Sequence, residues 1–585
     1  MQLILRILKP YRKYLIINAV TDAIGMFTLL LMPYIMSRIV DGGIAVGDFD
    51  AVIKSGGLML LFSALSLISR LIANKSNSML TTGFTADMSN ATFQKINRLT
   101  YAQYSKIGPS SLLTRVTDDI WNLEGIASTI VYTAVTVPIM IIGSAVLAFS
   151  ADWALATIFM VVIPPVMVIV LLFMRPLNGM WDKADKYIDE QNKIVRERLS
   201  GLRVVRAFNN EEKEHKRAKF ATEEMSKYMI RANVRAGYIE PIAMLLLNLA
   251  TVVMVAVGGI RAEQGLLARS GDIISIVQYV GLLSGALINL SWTLSWLPKV
   301  RVSIRRINEI HAMPDEDILP SKEQSFSKNS GENGYEIALN GVSFCYPDSS
   351  KPTLKDITLN IKEGEQIAII GGTGSGKTTL ARVIMGLYPP TDGSLTLGGK
   401  DYREIGTRGV RDRFSIALQK PMIFEGSIRN NLKMGSPEAL GEEMLSALSD
   451  CAMDGYIREH EDGLDHFLVG GGQNLSGGQK QRLNMARTVL RKADIYLFDD
   501  SYSALDFLTE SIIKKNLAVR LKGKSQIVIT QRVSTAMKAE RIFVIDGGKI
   551  IAVGSHGELI KGSSLYREIC ISQLGKEAIG GEINE

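Results

Sequence analysis

The chain has 585 residues, 47% of them hydrophobic and only 21% charged, a balance too apolar for an ordinary soluble enzyme and one that directs the search to membrane segments. Its net charge of +7 is spread along the loops that follow apolar runs and forms no basic block, which argues against nucleic acid as a partner and fits the positive-inside rule. Cys345, Cys451 and Cys570 stand alone without a C-x-x-C pair, which suits reduced thiols and gives no disulfide framework.

Residues 1–13, MQLILRILKPYRK, lack the cleavage site and long apolar core of a signal peptide. They read as a retained amphipathic segment on the cytosolic membrane face. A helix needs about 20 mostly apolar residues to cross a bilayer. Six stretches meet that requirement: 15–39, 52–73, 126–149, 153–174, 242–260 and 273–297. The links between them are unequal. Segments 74–125 and 175–241 are long, polar and rich in Lys and Arg, whereas the others are short. With Arg6, Lys9, Arg12 and Lys13 holding the N-terminus inside, six crossings return the chain to the cytosol, in a multi-pass protein of the cytoplasmic (inner) membrane. Each long loop has helix-forming flanks around a break, expected at Gly108-Pro109-Ser110-Ser111 in the first and at Ser200-Gly201-Leu202 in the second. Within the spans, Asp22, Asn248, Gln278, Asn289 and Trp292 are candidate lining for a substrate cavity, because a carboxylate in hydrocarbon must face the bundle interior or water. An interhelical hydrogen-bond role, or a position near the headgroup region, is the alternative for Asp22.

Residues 314–334 are polar without a periodic apolar face and mark a linker between a membrane domain, 1–313, and a second domain, 335–585. That domain holds a strand-like run, QIAII, followed by GGTGSGKTTL at 371–380. Gly371, Gly376, Lys377 and Thr378 fill G-x-x-x-x-G-K-[ST]. In this loop, with Gly372, Thr373, Gly374, Ser375 and Thr379, backbone N–H groups close around phosphates while Lys and Thr supply charge and a Mg²⁺ ligand. A second apolar strand ends in Asp499 and Asp500, of which Asp499 is placed to hold Mg²⁺ opposite Thr378. ATP and Mg²⁺ are the expected cofactors. Between the two lies LSGGQ, made of Leu475, Ser476, Gly477, Gly478 and Gln479, able to present N–H groups to a γ-phosphate from a helix start.

With Gln419 in ALQKP, the run Ser503, Ala504, Leu505 and Asp506 after the acids, and Tyr346 ahead of the P-loop, the sequence resembles the ATP-binding cassette of ABC transporters. Six spans before one cassette resemble an ABC exporter half-transporter. The implied fold is a membrane α-helical bundle with long cytosolic extensions, fused to an α/β P-loop cassette. The resemblance implies that Tyr346 stacks on adenine, that Gln419, Thr378 and Asp499 arrange Mg²⁺ and water, and that two cassettes sandwich two ATPs. Each ATP then lies between one chain's P-loop and the other chain's LSGGQ.

Three positions depart from the family pattern. Asp500 stands where a catalytic Glu is usual, and Gln531 where a His contacts the γ-phosphate. The stretch 469–475, VGGGQNL, lacks the Glu that exporters carry before the signature. A carboxylate withdrawn by about 1 Å costs about 10²-fold in rate, and Gln cannot carry imidazolium charge. These losses resemble the degenerate-site subunit of a heterodimeric exporter, whose partner half-transporter supplies the Glu and His. Expected cargo is an amphiphilic drug or lipid. An ATP-gated channel or regulatory subunit, and a homodimeric exporter of lipids or peptides, are the alternatives.

Overall fold

The computed structural model describes residues 2–264, 271–316, 335–347 and 349–575. They form two compact units, Met1–Asn97 with Ser110–Met313, and Arg98–Pro109 with Pro314–Glu585.

The described residues of the first unit form helices, because its apolar runs are long and leave no turn chemistry inside them. Phe49–Asn97 and Trp153–Ala207 have 49 and 55 residues. At about 1.5 Å per residue both far exceed a hydrocarbon core of about 30 Å. By length and composition, four helices among the described residues can cross a membrane: Leu3–Ile44, Phe49–Asn97, Thr133–Ala151 and Glu211–Arg261, with a shorter apolar helix at Gly271–Ala286. The expected spans 153–174 and 273–297 also fall on helices, Trp153–Ala207 and Gly271–Ala312, and several of their side chains lie outside the described ones. Met26, Leu30, Met140, Leu155, Met254, Ile276 and Leu283 form the unit's apolar centre. At its polar end, buried Asp119 accepts from Ser303 at 2.7 Å, and Asn122 donates to Ser303 at 3.1 Å.

The break expected at Gly108-Pro109-Ser110-Ser111 is present but confined to Gly108, with Pro109, Ser110 and Ser111 already helical. Gly108, at φ +82°, ends the short helix Tyr101–Ile107, and Pro109 opens the next. The break expected at Ser200-Gly201-Leu202 is absent, because Trp153–Ala207 runs straight through it. One Gly among helix formers costs only about 1 kcal/mol relative to Ala. The chain turns instead after Phe208, where Asn209 takes φ +51°, a conformation Asn tolerates, and Glu211, Glu212 and Glu214 start the following helix favourably.

The second unit is built on two large sheets and one short two-stranded sheet. Strands β1 (Tyr335–Phe344), β2 (Leu354–Lys362), β3 (Gln366–Ile370), β4 (Asp392–Leu397), β5 (Lys400–Asp401), β6 (Phe414–Ala417), β7 (Gly426–Ser427), β8 (Phe467–Leu468), β9 (Ile495–Asp499), β10 (Ser525–Thr530), β11 (Arg541–Asp546) and β12 (Lys549–Gly554) appear in chain order. An antiparallel sheet has the order β2-β1-β4-β5, and a six-stranded sheet the order β12-β11-β3-β10-β9-β6. Strands β11, β3, β10, β9 and β6 of the latter run parallel, with Val528 paired to both Ala368 and Phe498. Their continuous burial matches their unbroken apolar sequences, since such strands are covered on both faces. The segment 98–109 belongs to this unit by its contacts. Tyr101 meets Tyr388 edge-on at 5.4 Å, and the Arg98 carbonyl accepts from the Glu316 N–H at 2.7 Å.

Candidate nucleotide site

Ligands in open parallel sheets bind beyond the carboxyl ends of the strands. Here the P-loop follows β3, Gln531 follows β10, Asp499 closes β9, and Gln419 comes just after β6. Sheet order thus converts residues spread from 371 to 531 into neighbours.

The loop between β3 and the helix Lys377–Ile384 has the backbone its glycines allow. Gly374 and Gly376 take φ +79° and +106°, a region strained for any side chain, and a Cβ on Gly371 would run into the Ile545 carbonyl and the Ser375 hydroxyl. Lys377 is buried, and its Nζ donates to the carbonyls of Gly371 at 2.8 Å and Gly372 at 2.6 Å. Burial pushes this ammonium below its ordinary value, opposed by Asp500 and Asp499. A cation is therefore fixed at the mouth of a loop of exposed backbone at residues 372–374.

Burial, reinforced by Asp500, pushes the Asp499 carboxyl up to about 6, while Arg382, Lys377 and a hydrogen bond from Thr378 pull it back. Asp500 is half-buried at φ +47° and is held by its N–H to the Ile529 carbonyl at 2.8 Å. Its carboxyl is also raised by burial, against Gln419, Arg532 and Lys377. Gln419 reaches it only at 3.5 Å. Two carboxylates crowded beside a hydroxyl and an amide oxygen are hard donors suited to Mg²⁺, which uses few protein ligands and fills its shell with water and phosphate. Among the described residues no group of three His, Cys, Asp or Glu side chains forms an all-protein metal cage. Thr378, Asp499 and Gln419 would hold such an ion.

Gln531 accepts from the Thr373 hydroxyl at 3.3 Å, so it lies on the P-loop, and its own carbonyl accepts from Gln573 at 2.7 Å. The Tyr346 hydroxyl is fixed by Thr379 at 3.1 Å and Arg382 at 3.2 Å. Its ring stands edge-on to Phe344 and Tyr388. The sequence reading missed Arg382, Tyr388 and Tyr101; the T-x-x-Q capping box of Thr100 and Gln103 was the available signal for the helix that carries Tyr101.

The signature opens the helix Gly477–Leu490. Ser476 accepts from the Gln479 N–H at 3.2 Å while Gln479 accepts from the Ser476 N–H at 2.7 Å, leaving Ser476 and Gly477 exposed over a buried Leu475. The residues preceding it are braced without a Glu: Asn474 bonds the Val469 N–H at 3.1 Å and the Phe467 carbonyl at 3.0 Å. In the run 503–506, Leu505 is buried and Asp506 caps the following helix through the Thr509 N–H at 2.9 Å.

The polar residues of the spans differ in exposure. Asp22 and Gln278 are half-buried, while Asn248 and Asn289 are exposed, and Asn289 donates to the Gly285 carbonyl of its own helix at 2.9 Å. The Trp292 side chain lies outside the described ones.

Residues 15–287 match the ABC transporter transmembrane region, and residues 354–503 match the ABC transporter family. An uncharacterised ABC transporter ATP-binding protein of Mycobacterium tuberculosis is 31% identical over 98% of each chain. A probable multidrug resistance ABC transporter ATP-binding/permease protein of Bacillus subtilis, YheI, is 28% identical over 72% of this chain and 71% of its own. The fold is similar to that of a bacterial Atm1-family ABC exporter with ATP bound, with a TM-score of 0.81, 21% identity and coverage of 95% of this chain and 97% of the other.

Proposed function

Because the chain belongs to the ABC transporter family, a helical transmembrane domain fused to a cassette, we propose that it is one half of a heterodimeric exporter of amphiphilic drugs or lipids in the cytoplasmic membrane. Its own P-loop binds MgATP and hydrolyses it slowly, and its signature completes the competent site of a partner half-transporter that carries the Glu and His. The observation that carries this reading is the contrast within one cassette. Lys377, Thr378 and Asp499 are assembled as a sound phosphate and Mg²⁺ cradle, while Asp500 and Gln531 beside them supply a short carboxylate and an uncharged amide. Meanwhile Ser476 and Gly477 stand exposed at a capped helix start, ready to face a phosphate held by another chain.

In this reading ATP closes the paired cassettes, and the long helices carry that movement to the spans. The slow ATP keeps the cassettes together while the other site turns over. A probable multidrug transporter among the relatives and an exporter among the similar folds support outward transport. Inside-out vesicles holding the chain and its partner should accumulate an amphiphilic dye against its gradient when ATP is added. Flow only down a gradient would instead identify an ATP-gated channel.

A further inference from the structure

The helix Ser564–Leu574 reaches back to the loop that carries Gln531. Tyr566, Cys570 and Gln573 recur on it at helical spacing and share one face. Tyr566 and Cys570 are fully buried in one apolar cluster with Ile370, Val533 and Ala536, which seats this face beside the short helix Val533–Ala536 that follows Gln531. Gln573 lies in the last turn, closed by Gly575 at φ +86°, whose N–H donates to the Ile571 carbonyl at 3.1 Å. Its amide makes two bonds to one stretch of backbone. Nε2 donates to the Gln531 carbonyl at 2.7 Å, and Oε1 accepts from the Val533 N–H at 2.8 Å. Those backbone groups flank Arg532, and an amide side chain can donate to the one while accepting from the other. The Arg532 N–H in turn donates to the Thr530 hydroxyl at 3.0 Å, so the chain leaving β10 is fixed at successive residues.

We propose that Gln573 is a positioning residue for the nucleotide site: by splinting residues 531–533 it aims Gln531 at the γ-phosphate, and so sets the site's preference for ATP over ADP. Gln531 Oε1 accepts from Thr373 Oγ1 at 3.3 Å, so the side chain stands over the P-loop, and Nε2 is the end of its amide able to donate to a phosphate oxygen. An uncharged Gln has several torsions to fix and no imidazolium charge to repay the ordering, so its contact gains from a backbone held in place beforehand. The effect is selective. The γ-phosphate is what distinguishes ATP from ADP, whereas the N–H groups of a P-loop cradle the α- and β-phosphates that both carry. Loss of the splint therefore falls on ATP. The inference rests on the reading that the P-loop binds ATP, and it holds whether the second chain is a different subunit or another copy.

The test titrates the full chain, reconstituted in nanodiscs, with a fluorescent nucleotide and competes it with ATP or with ADP in the presence of Mg²⁺. Gln573 is exposed, and Gln573→Leu removes both of its bonds without emptying the core. That variant should bind ATP about fivefold or more weakly, with ADP changed by less than about twofold. Gln573→Glu keeps the acceptor for the Val533 N–H and loses the donor to the Gln531 carbonyl, and should retain part of the preference for ATP. In a Gln531→Ala background no amide is left to aim, so adding Gln573→Leu should alter ATP affinity by less than about twofold. Equal losses for ATP and ADP in Gln573→Leu, ATP affinity unchanged there, a full preference in Gln573→Glu, or a loss that persists in the Gln531→Ala background would each overturn the proposal. A wild type that binds neither nucleotide would instead refute the reading of the P-loop itself.

Discussion

On the proposed function, placing Glu at position 500 and His at position 531 should convert the chain's own site from a holder of ATP into a hydrolase. In Asp500→Glu/Gln531→His, the added methylene advances the carboxylate by about 1 Å, and the imidazole returns a group able to carry charge to the γ-phosphate. A misplacement of this size costs about 10²-fold, equivalent to about 2.7 kcal/mol of barrier. Backbone strain opposes the gain. Position 500 sits at φ +47°, where Asp is tolerated better than Glu, so the longer side chain carries extra strain of up to about 1 kcal/mol. That strain weakens the fold locally without undoing the reach. ATPase of the reconstituted full chain should therefore rise at least tenfold, with ATP affinity unchanged within about threefold because the P-loop is untouched. A rate within twofold of wild type, with ATP still bound, would refute the idea that reach and charge at these two positions limit hydrolysis.

Other consequences follow from the same geometry. Base-aromatic stacking is worth about 1–3 kcal/mol, so Tyr346→Ala should weaken ATP binding about tenfold in a fluorescent-nucleotide titration. Tyr346→Phe, which keeps the ring packed on Phe344 and Tyr388, should change it by less than threefold. The Asp499 carboxyl is raised to about 6 in the folded chain, so its contribution to stability is fully present at low pH and is lost as pH climbs from the ordinary carboxylate range through about 6. Asp499→Asn removes a buried charge and should stabilise the chain at pH 7.5 by up to about 3 kcal/mol in denaturant unfolding, while abolishing Mg²⁺-dependent ATP binding. The gain should shrink as pH is lowered from about 6 towards the ordinary carboxylate range, and a constant gain would contradict the assignment. Glu510→Ala strands Arg532 and Lys514 beside an emptied pocket and should cost about 3–5 kcal/mol in denaturant unfolding.

The cassette was legible where chemistry forces sequence. The P-loop glycines were readable because Gly376 must take φ +106°, and Ser476 because a capping box needs Gln three residues on. The parallel strands were readable because burial on both faces demands unbroken apolar runs. What escaped depends on long-range pairing. No spacing rule connects Arg382 to Tyr346 or Gln481 to Ala504, since the sheet order decides those meetings. In the membrane unit, the turn was misplaced because Gly201 looked like a breaker, while Asn209, a weaker signal, carried the backbone reversal. The polar residues of the spans were visible as such. Their sequence positions do not say which residues on different helices meet, and the Asn289 side chain bonds the Gly285 carbonyl of its own helix.

On the proposed function, the nucleotide on this chain is held through many cycles without being split. A photoreactive ATP analogue labelled in both base and γ-phosphate, bound to the assembled transporter during turnover and then crosslinked, reads this directly at the Lys377 site. Label attached to this chain should retain its γ-phosphate after many turnovers, while label attached to the partner should be recovered as the diphosphate. Diphosphate accumulating on this chain in step with turnover would contradict it.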